Sequence, residues 1–240
     1  GKEYILYDTA GVRRKGKVKE VIEKFSIIKS LQAIEKSNVV FAVIDASEGV
    51  TEQDVSLMGL AVERGRALVL LINKWDGLEE SHKKYVENQI HRRLPFLDFA
   101  DKHMISALHG TGVGDLLPAA QRAFSAAMKK ISTNQLTTEL EEALIEHAPP
   151  MVRGRRIRLR YAHQGGKNPP TIVIHGNQTE RLPLTYKRYL INRFRKRFKL
   201  QGTPVRLILK TSDNPYKGRR NKLTPRQTRK KKRLMRHVKK

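Results

Sequence analysis

The fold is decided by the stretch Ala67-Leu68-Val69-Leu70-Leu71-Ile72, which runs straight into Asn73-Lys74-Trp75-Asp76-Gly77. Six apolar residues without alternation predict a parallel strand buried on both faces. The polar residues that follow therefore sit at a strand's carboxyl end, where open α/β sheets bind their ligands. The side chains suggest which ligand. The Asp76 carboxylate can accept two parallel hydrogen bonds from a ring N–H and an adjacent exocyclic amine, a pattern that guanine presents and adenine does not. Lys74 has an aliphatic stem long enough to lie over a flat base, and the Asn73 amide can tie neighbouring loops together.

Working outward, the same layout recurs. Tyr4 to Tyr7 is a short apolar run, read as a strand, that ends at Asp8-Thr9-Ala10-Gly11. Val39 to Ile44 is another apolar strand, closed by Asp45-Ala46-Ser47, and Lys102 to Ile105 is a third, meeting Ser106-Ala107-Leu108. Helical patterns lie between them: one through Phe25, Ile28, Leu31 and Ile34, one after Thr51 with a T-x-x-D capping sequence, one from Glu79 to Arg93, and one from Asp115 to Lys130. Strands alternating with helices predict a doubly wound parallel sheet. The segment Arg13 to Lys19, basic and glycine-containing, is read as mobile.

Asp8-Thr9-Ala10-Gly11 fits the D-x-x-G of a phosphate-sensing switch, in which Asp8 holds Mg²⁺ through a water and Gly11 exposes its N–H to a terminal phosphate. Alone, such a tetrapeptide is an ordinary turn. Asn73 to Asp76 forms N-K-x-D, the guanine-specificity motif of GTPases, and Ser106-Ala107 would supply a backbone N–H to the guanine O6. In this order the three motifs point to a P-loop NTPase-type fold that binds GTP and GDP. The phosphate-cradling G-x-x-x-x-G-K-[ST] is not found between Gly1 and Lys240, so the sheet is expected to lack its N-terminal P-loop part. The expectation is a piece of a longer GTPase, with this fragment inactive alone.

Charge divides the 240 residues unevenly. Residues 1 to 150 carry a net −1 and residues 151 to 240 a net +27, which gives the overall +26. A near-neutral part joined to a strongly basic one implies separate jobs, with a polyanion as partner of the second. The basic part begins after the helix Asn134 to His147 and Pro149-Pro150. It reads as strands at Arg156–Tyr161, Thr171–His175 and Val205–Lys210, with a helix at Tyr186–Phe198, a small α+β unit. Ile157, Leu159 and Tyr161 alternate with Arg156, Arg158 and Arg160, predicting a core face backed by guanidinium groups. The candidate RNA-binding residues are Arg153, Arg155, Arg156, Arg158, Arg160 and Lys167, then Arg193, Lys196 and Arg197 as a helical stripe. Aromatic residues are sparse, so binding of folded RNA through shape and phosphates is favoured over base stacking. Beyond Asn214 most of the Lys/Arg-rich tail is read as disordered in isolation. Domain boundaries are placed at 1–131, 132–213 and 214–240.

There is no cysteine, which excludes disulfides and thiolate metal sites and suits a reducing cytosol. His103 and His109 flank one strand end but lack metal-site spacing, and no apolar run is long enough to span a bilayer. A rival reading keeps the nucleotide fold as scaffold for a non-enzymatic RNA-binding protein.

The sequences D-T-A-G-V-R-R-K-G-K-V, F-S-I-I-K-S-L-Q-A-I, N-K-W-D-G, S-A-L-H-G-T-G-V-G, P-P-x-V-R-G-R-R-I-R-L-R-Y-A and G-G-x-N-P-P together resemble one family. It is the bacterial tandem GTPase family Der, also called EngA, here its second G domain and C-terminal KH-like domain. The resemblance implies a cytoplasmic bacterial GTPase, a monomer off the ribosome, that binds rRNA and assists assembly of the large ribosomal subunit. It places Asp8, Thr9, Ala10, Gly11 and Val12 at the γ-phosphate and Mg²⁺, and Asn73, Lys74, Trp75 and Asp76 with Ser106 and Ala107 around guanine. Gly11 and Val12 mark the switch turn, but no catalytic residue is assigned. Val12 stands where Ras-like GTPases carry the glutamine that orients water, so the resemblance implies slow hydrolysis, with K⁺ as activator. No G-x-x-G loop lies between the helices of the KH-like unit, which argues against strand clamping by such a loop.

Overall fold

A computed structural model describes residues 3–8, 30–152, 154–211 and 224–238. The first unit is built on three parallel strands in the order β1 (Val39–Asp45), β2 (Ala67–Asn73) and β3 (Asp101–Met104). Being central, β2 meets helices on both sides. Leu68, Leu70 and Ile72 enter one core, and Ala67, Val69 and Leu71 enter another. The first core is closed by α1 (Glu52–Glu63) and α2 (Glu80–Arg93), and the second by α3 (Leu116–Ala127). This is the doubly wound parallel arrangement expected. Each fully buried Leu or Ile of β2 contributes on the order of 1.5–3 kcal/mol.

Local signals set the helix ends. Thr51 accepts from the Asp54 N–H while the Asp54 carboxylate accepts from the Thr51 N–H, a complete capping box that starts α1. Ser132 and Gln135 do the same for α4 (Thr133–Glu146).

The second unit runs α4, β4 (Met151–Val152), β5 (Arg155–Arg156), β6 (Arg158–Gly166), β7 (Thr171–Asn177), α5 (Leu184–Arg197) and β8 (Arg206–Thr211). β6 pairs antiparallel with β7, and β7 pairs parallel with β8. Both α4 and α5 cover one face of this sheet, burying Leu136, Leu140, Ile172, Ile174, Leu190 and Phe194 in a separate core.

The two units meet at the amino end of the first sheet. Gly202, in the turn after α5, accepts from the Leu68 N–H at 2.8 Å and donates to the Phe99 carbonyl at 2.7 Å. Its φ is +77°, and a Cβ there would stand 2.6 Å from the Ala123 Cβ, so only glycine fits. The second unit therefore docks about 16 Å from the carboxyl end of β2, five residues further on.

Three expectations need correction. Residues Tyr4–Tyr7 form no strand; they are irregular, with Ile5 and Leu6 each 82% exposed. Strands gain stability only through pairing, and among the described residues this run pairs with neither edge of the sheet. The tail is not wholly irregular, because Pro225–Val238 forms a helix, α6. Thr224 and Gln227 cap it reciprocally, and Pro225 occupies its first turn, so local signals start a helix whose Leu234 and Met235 are exposed.

The third correction concerns β6. Leu159 pairs with Gly176 and Tyr161 with His175, so Arg160 is an extra, bulged residue. One inserted residue reverses the alternation. Leu159 and then Ala162 point into the core, while Tyr161, expected inside, stands on the outer face and is 43% exposed.

Candidate functional site

At the carboxyl ends of β1, β2 and β3 the polar residues singled out from sequence converge. Asp45 and Asn73 are register partners on β1 and β2. Lys74 follows in the left-handed conformation, φ 62°, and its Nζ lies 2.6 Å from the Asp45 carboxylate. Ser47 donates to the same carboxylate through its N–H and its hydroxyl, at 3.1 and 2.6 Å. Partial burial pushes the Asp45 pKa up, but the bonds from Lys74 and Ser47 win and hold it below the usual carboxylate value.

Asn73 reaches across to the third strand's loop. Its Oδ1 accepts from the Ala107 N–H at 2.9 Å, and the Trp75 N–H donates to the Ile105 carbonyl at 3.2 Å. The loop itself is a tight hairpin, with the Ser106 N–H donating to the Thr111 carbonyl at 3.0 Å. Gly112, at φ +72°, passes so close to the Met104 carbonyl that a Cβ would lie 2.8 Å from it.

Asp76 projects from the short 3₁₀ turn Trp75–Gly77. Its carboxylate accepts from His109 Nδ1 and from the Ser106 hydroxyl, which together hold its pKa below the usual carboxylate range. A base binding there must displace His109. This histidine was passed over in the sequence because it was weighed only as a metal ligand.

Asn73, Lys74, Asp76, Ser106 and Ala107 are thus brought together. Two details differ from expectation. Trp75 packs against the core beneath the turn rather than lining the site, so it shapes the loop through its backbone. The backbone N–H expected from Ser106-Ala107 for guanine O6 is already engaged at both residues, at Ser106 by the Thr111 carbonyl and at Ala107 by Asn73.

Of the phosphate-side residues, Asp8 lies in the irregular segment 3–8 and is exposed, while Thr9, Ala10, Gly11 and Val12 lie outside the described residues, as does the segment Arg13 to Lys19. No group of three or more His, Cys, Asp or Glu suited to a metal ion occurs among the described residues.

On the basic unit, Arg156, Arg158, Arg160, Lys167 and Lys196 are exposed. Arg153 and the Arg155 side chain lie outside the description. Arg193 differs from its expected place on a free stripe. Its Nε donates to Glu139 Oε1 at 2.6 Å, its Nη1 reaches Glu146, and Glu142 lies 3.8 Å away. Arg197 shares Glu139 at 3.1 Å. These carboxylates precede residue 151, so the nearly acid-free count of the basic part concealed them. Bonds from Glu146 and Glu139 raise the Arg193 pKa further, and Arg193 in turn lowers that of Glu146. The helix α6 adds Arg226, Arg229, Lys230, Lys231, Lys232 and Arg233, all exposed. No helix among the described residues is long and apolar enough to cross a membrane.

Comparison with known proteins agrees with this geometry. The elongation factor Tu GTP binding domain family matches residues 23–150, more than half of the chain. The KH-domain-like family of EngA bacterial GTPase enzymes, C-terminal, matches residues 130–210. Full-chain relatives are named GTPase Der: 60% identity in Thioalkalivibrio sulfidiphilus over 52% of that protein, and 58% in Hahella chejuensis over 51%. The chain spans about half the length of the curated relatives it matches. Among solved structures, an Era variant from Aquifex aeolicus bound to GDP·AlF4⁻ aligns over 92% of this chain and 79% of its own, at 18% identity and a TM-score of 0.40, too distant to bear on the site.

Proposed function

We propose a function from one premise: the chain belongs to the family of the elongation factor Tu GTP binding domain. The reading is a guanine-nucleotide switch that hydrolyses GTP as part of a longer protein, in which a basic KH-like unit binds rRNA during assembly of the large ribosomal subunit. The relatives named GTPase Der support this reading, and the functional division at 1–131, 132–213 and 214–240 follows it.

The observation that carries it is the carboxylate of Asp76 at the end of β2, beside a loop that Asn73 fixes at Ala107. Guanine offers Asp76 two parallel donors in place of His109. Adenine offers neither in that position, and leaving the carboxylate unpaired costs enough to discriminate by a large factor. Asp8 would hold Mg²⁺ through a water, with Thr9 to Val12 at the γ-phosphate and K⁺ as activator. The setting is the bacterial cytoplasm, with a monomer off the ribosome.

The basic unit docks through Gly202 near the amino end of β2, at the opposite end of the sheet from Asp76. Competition binding with labelled GDP tests the base-reading claim in the full-length protein. GTP must compete far better than ATP, and Asp76→Ala must erase the difference; equal competition, or an unaffected Asp76→Ala variant, overturns the reading.

A further inference from the structure

The bulge at Arg160 has brought together aromatic side chains that the sequence keeps apart. Tyr161 stacks on His175 across the β6–β7 pair with ring centroids 4.5 Å apart and planes at 5°. His163 stacks on the same His175 at 5.1 Å and 30°. On the next strand, Lys210 is the register partner of His175 and Ile208 that of Val173. The outer face thus carries the row Tyr161, His175, Lys210 beside a row of His163, Val173 and Ile208.

Helices cover the other face of this sheet, whereas Tyr161 is 43% and Ile208 39% exposed here. The three strands contain Arg158, Arg160, Arg206 and Lys210 and no acidic residue. Arg206 is turned to the Glu63 carbonyl at 3.1 Å, which leaves Arg158, Arg160 and Lys210 exposed around the rings. An apolar face alone would fit a protein partner. A π surface on strands that carry cations and no acid fits a strand whose bases stack and whose phosphates are anionic.

We propose that the outer face of the β6–β7–β8 sheet binds single-stranded RNA, with a base stacking on Tyr161, whose ring His175 backs, and phosphates held by Lys210, Arg158 and Arg160. This rests on the RNA-binding reading above and adds a mode to it, because stacking was not expected from so few aromatic residues. Three strands span about 10 Å, room for about two nucleotides. Burial, with His163 and Lys210 nearby, lowers the His175 pKa, so the ring is neutral at physiological pH and presents a π face rather than a charge.

The test uses the 240-residue chain and two RNA strands of equal length and charge, one carrying 2-aminopurine and uracil bases, the other abasic. The strand with bases should bind roughly 5- to 150-fold more tightly and quench 2-aminopurine fluorescence. Tyr161→Ala should bring the ratio towards one and abolish the quench, Tyr161→Phe should preserve both, and Lys210→Ala should weaken both strands alike. Tyr161 is exposed, so an unchanged melting temperature will confirm that Tyr161→Ala is folded. A ratio that Tyr161→Ala leaves unchanged, or tighter binding of duplex RNA independent of Tyr161, overturns the inference while RNA binding stands. Failure of every RNA to bind overturns the underlying reading as well.

Discussion

Asn73 Oδ1 accepts the backbone N–H of Ala107 at 2.9 Å, joining the end of β2 to the loop after β3. Two stretches 34 residues apart in sequence are thereby held as one surface. Removing the acceptor with Asn73→Ala should cost about 1 kcal/mol, or about 2–4 °C in melting temperature. Hydrogen exchange gives the sharper readout: the Ala107 amide should lose protection while amides in the middle of β2 keep theirs.

Gly202 links the two units where no side chain fits. Gly202→Val should force Ala123 and the turn apart, at a cost on the order of 2–4 kcal/mol from overpacking and left-handed strain. Calorimetry should then show the two units melting separately, where the parent chain melts with them coupled.

Glu139 is only 4% exposed and is neutralised by Arg193 and Arg197. Arg193→Met should destabilise the second unit by about 3–5 kcal/mol, because it leaves a buried carboxylate underpaired. Adding Glu139→Gln to Arg193→Met should recover much of the loss in denaturant unfolding.

His175 supplies a pH dependence. Burial first, then His163 and Lys210, hold its pKa below the ordinary 6.5; Tyr161 is the other ring against it. The fold favours the neutral ring, so stability is full above pH 6.5 and declines as pH falls through the folded-state value. Urea unfolding at pH 7.5 and 5.5 should show the loss, and His175→Phe, which keeps the stack without the titration, should reduce it.

What the sequence made legible follows from the range of each signal. The strand Ala67–Asn73 and the capping pair of Thr51 with Asp54 are local patterns, and each appears where expected. The positions of Asn73, Lys74 and Asp76 were readable because they directly follow the carboxyl end of a buried parallel strand. Tyr161 was misplaced because a bulge is set by pairing with β7, not by the composition of β6. Arg193 misled for a similar reason, since its carboxylates come from α4, on the other side of the charge boundary. The helix α6 was missed by asking what it could bury and not how Thr224 and Gln227 cap it.

The most direct test of the central claim exchanges the acceptor at the base for a donor. Asp76→Asn in the full-length protein replaces a carboxylate oxygen with an amide N–H, which suits xanthine, whose carbonyl stands where guanine has its amine. The account predicts that this variant loses GDP affinity by at least about 100-fold and binds xanthosine diphosphate in its place. Undiminished GDP binding by Asp76→Asn, with no gain for the xanthine nucleotide, would contradict it.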